Sequence, residues 1–236
     1  RFLMEERAQS IRRMFSAISP RYDLLNHLLS GNIDKLWRRR VAREIIAADT
    51  RAVLDLCAGT GDLSFALSQA LSPGGHIIAL DFSLEMLRIA QRKYAPSSAL
   101  HSVSFVEGDG LRLPFPNDQF DAVTVAFGLR NLVDWQGGLH EMARVTHKGG
   151  KVAVLEFSLP RHQPFRALYL FYFTRMLPVI GKWFSGSTAY QYLTDTVLQW
   201  PNPQELRQMM ERADLRDISI IRLTGGIACL HIGVKA

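Results

Sequence analysis

The sequence predicts an α/β fold: a mostly parallel sheet with helices on both faces, preceded by a helical segment and ended by an antiparallel hairpin. Three observations predict it. From residue 52 onward, short and continuously apolar runs alternate with helical patterns, as strands covered on both faces do. Two glycines, Gly59 and Gly61, are packed into the turn between the first such run and the helix after it. The last two strand-like runs, DISIIRLT and IACLHIGVKA, meet at Gly225-Gly226, a hairpin signal that makes them antiparallel.

Each element follows in chain order. Residues 1–50 read as a helical cap. In SPRYDLLNHLLSG, Ser19 caps a helix, Pro20 opens it, Leu24, Leu25, Leu28 and Leu29 form its apolar stripe, and Gly31 ends it. A further helix follows Asn32, with Trp37, Val41 and Ile45 four apart. Then come the strand AVLDLC, a helix over Gly61–Leu71, the strand HIIALD, a helix capped by Ser83, and the strand SVSFVEGD. FDAVTVAF, a helix around Trp135–Val145, the strand KVAVLEFS and a helix near Pro203–Ala213 complete the series before the hairpin. Residues 51–236 form the ligand-binding domain, with a helical insertion at 160–200, and the whole reads as a single structural unit.

A chain of 236 residues, 47% of them hydrophobic, suffices for one full core. Cys57 and Cys229 lie far apart in apolar runs, so they read as core thiols in a reducing compartment, and no His/Cys cluster has metal-ligand spacing. Arg1 to Arg13 is charged and amphipathic, unlike a signal peptide. The longest apolar region, Phe165–Phe184, is broken by Arg175 and Pro178, which suits a core or substrate-covering helix better than a membrane span. The net charge of +6 concentrates in KLWRRRVAR, a helix face that is either solvated or turned to an anionic membrane surface. The expected location is cytoplasmic, with peripheral membrane contact and a homodimer left open.

Open parallel sheets bind ligands at the carboxyl ends of their strands. Gly59 and Gly61 sit there, and Asp81 ends the second strand, where a carboxylate can accept both hydroxyls of a ribose. The full dinucleotide pattern G-x-G-x-x-G fails at Ser64. Asp109, after the third strand, can accept from an adenine amino group, with Leu111 and Phe115 as apolar neighbours. These features favour S-adenosylmethionine (SAM) over a dinucleotide.

The segments DLCAGTGD, DFSLEML, GDGLRLPFPNDQFDAVTVAFGLRN and ARVTHKGGKVAVLEFS resemble the class I SAM-dependent methyltransferases. More narrowly, with ISPRYDLLNHLLSGNIDKLWRR and YQYLTDTVLQWPNPQEL, the chain resembles the quinone-biosynthesis C-methyltransferases acting on demethylmenaquinol or a polyprenyl benzoquinol. The resemblance implies a Rossmann-like, seven-stranded methyltransferase fold. It implies that Asp55 and Gly59 line the methionine side of SAM, that Thr60 and Gly61 contact it through the turn, that Asp81 holds the ribose, and that Asp109 with Gly110 holds the adenine. One departure stands out: Cys57 replaces the first turn glycine, which implies that this position need not supply a positive φ.

The resemblance also implies a prenylated quinol partner, no metal, and in-line methyl transfer to a ring carbon beside a hydroxyl. Arg130 and Asn131, in FGLRN after the fourth strand, are the expected catalytic residues, together with Tyr22 and Tyr192. Arg130 stays charged and suits stabilising a developing phenolate or holding a relay water, while Asn131 orients substrate oxygen. Tyr22, with Asp23 and Asn26, is expected to cap the pocket, and Tyr190 and Tyr192 to face the pocket from the other side. His27, Glu156 and His231 remain unranked as proton acceptors. The rival readings are another small aromatic acceptor and a non-catalytic SAM-binding subunit of a lipid-biosynthesis complex. Nucleic acid is favoured by charge alone and is not expected as a partner, because no aromatic-rich basic loop is present.

Overall fold

The computed structural model describes residues 6, 30, 32–95, 102–176 and 189–236. Helix α1 (Ile33–Ile45) precedes β1 (Ala52–Leu56), α2 (Asp62–Ala70), β2 (His76–Asp81), α3 (Leu84–Tyr94), β3 (Ser102–Glu107) and β4 (Phe120–Ala126). A 3-10 turn at Leu129–Asn131 leads to α4 (Trp135–Val145), β5 (Thr146–Phe157), α5 (Phe165–Phe171), α6 (Ala189–Gln199), α7 (Pro203–Arg212), β6 (Leu215–Leu223) and β7 (Ala228–Lys235). The seven strands lie in the order β3-β2-β1-β4-β5-β7-β6. The first five are mutually parallel, and β7 runs antiparallel to both β5 and β6.

Strand alternation sorts the core into two layers. Leu54, Leu56, Val123, Val125, Val152 and Val154 face α4 and α7, whose Leu139, Met142, Leu206 and Met210 close that side. Val53, Ala122, Ala153, Leu155 and Leu230 face the opposite way, onto Trp37 and Val41 of α1 and Leu63 and Leu67 of α2. The buried stripe Trp37, Val41 and Ile45 of α1 is the one its spacing predicts. Ser83 caps α3 by accepting from Met86 N, and the hairpin turns at Thr224–Gly226 with Gly225 and Gly226 at φ 66° and 94°.

Two details differ from the sequence expectation. β5 begins at Thr146 rather than Lys151, because the chain enters the sheet beside Phe120 and passes through Gly149 at φ 80° before the register shifts to Ala122↔Lys151. The helix expected from Phe165 onward runs to Phe171, then widens into a looser turn over Tyr172–Met176. Its remainder lies outside the described residues, as does the helix expected after Ser19. Tyr169 and Val197 pack α5 and α6 over Phe157, Leu159 and Ile227.

Strand order reverses between β1 and β4, so the chain leaves these two neighbours in opposite directions and opens a crevice at their carboxyl ends. The loops after β1 and β4 meet there. A β-carbon on Gly128 would collide with that of Cys57, so only glycine allows the approach.

Candidate active site

The turn after β1 is built from three left-handed residues: Cys57 at φ 54°, Gly59 at 55° and Gly61 at 84°. The expectation that Cys57 need not supply a positive φ is therefore corrected. The chain must reverse at once from strand to helix while its side chain stays beside Gly128, and the left-handed region is the conformation that does both. The turn is braced by Ala58 N donating to Leu80 O at 3.0 Å and Gly61 N to Ala58 O at 2.9 Å. Among the described residues, a β-carbon added at Gly59 would meet nothing within 4 Å, so they leave the turn open on that side.

Asp81, buried at the end of β2, ties this turn to the next. Gly59 N donates to its Oδ2 and Ser83 N to its Oδ1, each at 2.8 Å. These two bonds fix the carboxylate in direction at the carboxyl end of β2. Thr60 is buried beneath the turn.

Asp55, near the carboxyl end of β1, is held by two hydroxyls. Its Oδ2 accepts from Ser64 Oγ at 2.5 Å and its Oδ1 from Thr124 Oγ1 at 3.1 Å, and the carboxyl is almost fully buried. Burial pushes it up to about 7, against the lowering effect of the two hydroxyls. Ser64, the residue that breaks the dinucleotide pattern, thus anchors Asp55 from α2.

After β3, Asp109 is exposed and accepts Leu111 N at 2.9 Å. Gly110 is buried where a β-carbon would press on Leu132 at 3.2 Å and Leu56 at 3.3 Å. This brings the loop after β3 against the loop after β4. Phe115 does not lie with them. Its ring packs edge-on to Phe120, centroids 5.1 Å apart, at the start of β4 and hence at the opposite edge of the sheet. The segment between β3 and β4 must cross the whole sheet, and Phe115 stands at the far end of that crossing.

The loop after β4 carries Arg130 and Asn131. Arg130 is buried, with Nη1 donating to Glu156 Oε2 and to Phe127 O, each at 2.7 Å. Its backbone N–H donates to Glu156 Oε1 at 3.3 Å, and its guanidinium carbon lies 5.4 Å from the Phe157 ring centre. Its Nε is buried and has no hydrogen-bond partner among the described residues. Burial raises the Glu156 carboxyl above its ordinary value, and the contacts with Arg130 pull it back down. Asn131 donates from Nδ2 to Phe127 O at 3.4 Å and accepts Tyr192 OH on Oδ1 at 3.2 Å.

The structure thus brings Gly59, Gly61, Asp81, Asp109 and Gly110 onto one edge, with Arg130, Asn131 and Tyr192 beside them. Tyr22, Asp23, Asn26 and His27 lie outside the described residues, and Tyr190 lies in the first turn of α6. His231 is buried on β7, donates from Nε2 to Pro203 O at 2.9 Å, and is driven down to about 4 by burial. It pairs with Val154, back along β5 from Glu156. Sequence reasoning left Glu156 unranked, although a carboxylate inside the apolar run KVAVLEFS was a signal that a buried cation must face it. It missed Phe127, whose role depends on backbone conformation. Among the described residues no group of three His, Cys, Asp or Glu could hold a metal ion.

Comparison with known proteins agrees with this geometry. A sequence model of the ubiE/COQ5 methyltransferase family matches residues 3–235. The chain is 42% identical over 99% of its length to the ubiquinone/menaquinone biosynthesis C-methyltransferase UbiE of Geobacter sulfurreducens, covering 91% of that protein. It is 43% identical over 98% of its length to the demethylmenaquinone methyltransferase of Deinococcus radiodurans, covering 95% of it. Among solved structures, a SAM-dependent methyltransferase of Thermotoga maritima superposes with a TM-score of 0.67 at 16% identity, over 96% of this chain and 100% of that one. One from Aquifex aeolicus superposes with a TM-score of 0.59 at 17% identity, over 84% and 89% of the two chains. The crevice at the carboxyl edge, the glycine turn tied to Asp81 and the match along nearly the whole length together place this chain in the ubiE/COQ5 methyltransferase family, as a methyltransferase with the fold of SAM-dependent enzymes.

Proposed function

We propose that the protein transfers a methyl group from SAM to a ring carbon of a prenylated quinol, a demethylmenaquinol or a polyprenyl benzoquinol. The open side of Gly59 and the fixed carboxylate of Asp81 suit the donor, with Asp109 and Gly110 next along the edge. SAM, once bound, supplies a methyl already activated by its sulfonium, so the chain has only to orient, neutralise charge and exclude water.

The observation that carries the acceptor half is Arg130: a buried cation at the strand edge, held by Glu156, with one donor unused among the described residues. A buried donor without a partner calls for an explanation, and a substrate oxygen is the acceptor this site would offer it. Ring carbon becomes nucleophilic as the neighbouring hydroxyl loses its proton. With a phenol pKa near ~10, that ionisation costs about 4 kcal/mol at neutral pH. Arg130 lowers this cost by holding the developing phenolate, and Asn131, steadied by Tyr192, orients the same oxygen. Tyr22 belongs to this reading as a cap-side contact to the substrate.

The prenyl tail and the membrane surface enter through α5. Leu168 and Phe171 are 66% and 58% exposed, with Arg166 and Arg175 exposed beside them, an apolar and basic face suited to an anionic bilayer. Among the described residues no helix is long and apolar enough to cross a membrane.

The test offers labelled SAM with the naphthoquinol and the benzoquinol, each reduced and oxidised, and reads products by mass spectrometry. Methylation of a reduced ring is expected, with the oxidised forms inert. Label on neither ring would sink the proposal.

A further inference from the structure

Helix α1 and the acceptor edge meet at one residue. Phe127 has φ 58°, in the left-handed region that a bulky side chain seldom occupies and keeps only where its surroundings over-determine it. That conformation turns its N–H to Leu155 O at 2.8 Å. It also presents its carbonyl to both Arg130 Nη1, at 2.7 Å, and Asn131 Nδ2, at 3.4 Å.

The surroundings that hold it come largely from α1. Its ring centre lies 4.5 Å from that of Phe157, 6.0 Å from that of Trp37, and 5.4 Å from the Arg38 guanidinium carbon. Arg38 is itself buried and ion-paired with Asp34 one turn earlier, and Ser30 Oγ donates to Asp34 Oδ1 at 2.6 Å. Trp37 Nε1 donates to Thr224 Oγ1 at 2.9 Å, which fastens α1 to the hairpin turn. On the other side, Gly128 abuts Cys57 of the donor turn.

We infer that Phe127 is a positioning residue: α1, through Arg38 and Trp37, holds it in the left-handed conformation, and its carbonyl sets Arg130 and Asn131 in place for the acceptor. Helix α1 is then part of the catalytic geometry. This rests on the assignment of Arg130 and Asn131 to the acceptor made under the proposed function.

The test uses the full chain with Phe127→Ala, Phe127→Tyr, Arg38→Met and Arg38→Lys. It reads kcat with the reduced ring, SAM affinity by calorimetry, and the Arg130 side-chain Nε–H signal by NMR, assigned with Arg130→Lys. Phe127→Ala and Arg38→Met are expected to lower kcat about 10- to 100-fold while SAM affinity stays within about twofold, as a small misplacement near the chemistry does. In the same two variants the Nε–H signal should move and exchange faster with solvent. Phe127→Tyr and Arg38→Lys should restore most of both. Unchanged kcat, an unmoved Nε–H signal, or a kcat loss matched by an equal loss of SAM affinity overturns the inference. If Phe127→Ala does not fold, the Arg38 pair decides. Should the wild-type chain methylate neither ring, the proposed function fails by itself, and the Nε–H comparison still decides whether Phe127 positions Arg130.

Discussion

Asp81, Asp55 and Arg130 are all buried and ionisable, and each does something different with that burial. Asp81 is aimed by two backbone N–H groups, so its contribution is directional. Asp81→Ala should weaken SAM binding about 10- to 100-fold by calorimetry, the span expected for hydrogen bonds to a charged group. Asp55 is raised from its ordinary 3.8 to about 7 by burial. Between those values the folded chain keeps a proton that the unfolded chain releases. Its contribution to stability is therefore present below about pH 4 and lost as pH rises through about 7. Other carboxylates run the opposite way, such as Glu141, held low by its bonds to Arg144, so the variant must be compared with wild type at each pH. Asp55→Asn should gain on wild type in urea unfolding from about pH 5 to pH 8, by at most about 4 kcal/mol. Arg130 forms a buried pair with Glu156 and, in the proposed function, also holds the acceptor. Arg130→Met leaves Glu156 uncompensated and should cost about 3–5 kcal/mol of stability. Adding Glu156→Gln should return most of that stability, read by thermal melting, while methyl transfer stays lost.

Local rules explain the helices unevenly. Helix α7 is closed by a reciprocal box, in which Asn202 Oδ1 accepts from Gln204 N and Glu205 N while Glu205 Oε2 accepts Asn202 N at 2.7 Å, and Pro203 opens the first turn. Asn202→Ala should cost about 1 kcal/mol, a drop of about 2–4 °C in melting temperature for a chain of this size. The donor turn follows no such local rule. Its left-handed Cys57 is explained only by the loop after β4, which brings Gly128 against it. Likewise α1 is an amphipathic helix by its own pattern, but what its buried face holds, Phe127, comes from a strand end about 90 residues later in the chain.

At the scale of the whole molecule, the proposed membrane contact combines the charge of +6 with the exposed face of α5. Vesicles containing anionic lipid should bind the protein more tightly than neutral ones, and added salt should release it. Replacing Leu168 and Phe171 by Ser should weaken that binding and raise KM for long-tailed quinols more than for short ones. Equal KM changes for both tail lengths would count against the tail following α5. What the sequence by itself determined is the order of strands and helices, the antiparallel hairpin, the glycine turn and Asp81 at the end of β2. Those depend on periodicity, turn chemistry and chain order, all local properties. Only the tertiary structure decided that Asp55 turns inward to Ser64 and Thr124, that Phe115 leaves the site for the far edge, that Glu156 holds Arg130, and that Phe127 joins α1 to the acceptor loop. Each of those depends on which side chains the folded sheet brings within a few ångströms of one another across long stretches of chain, and no local pattern encodes that distance.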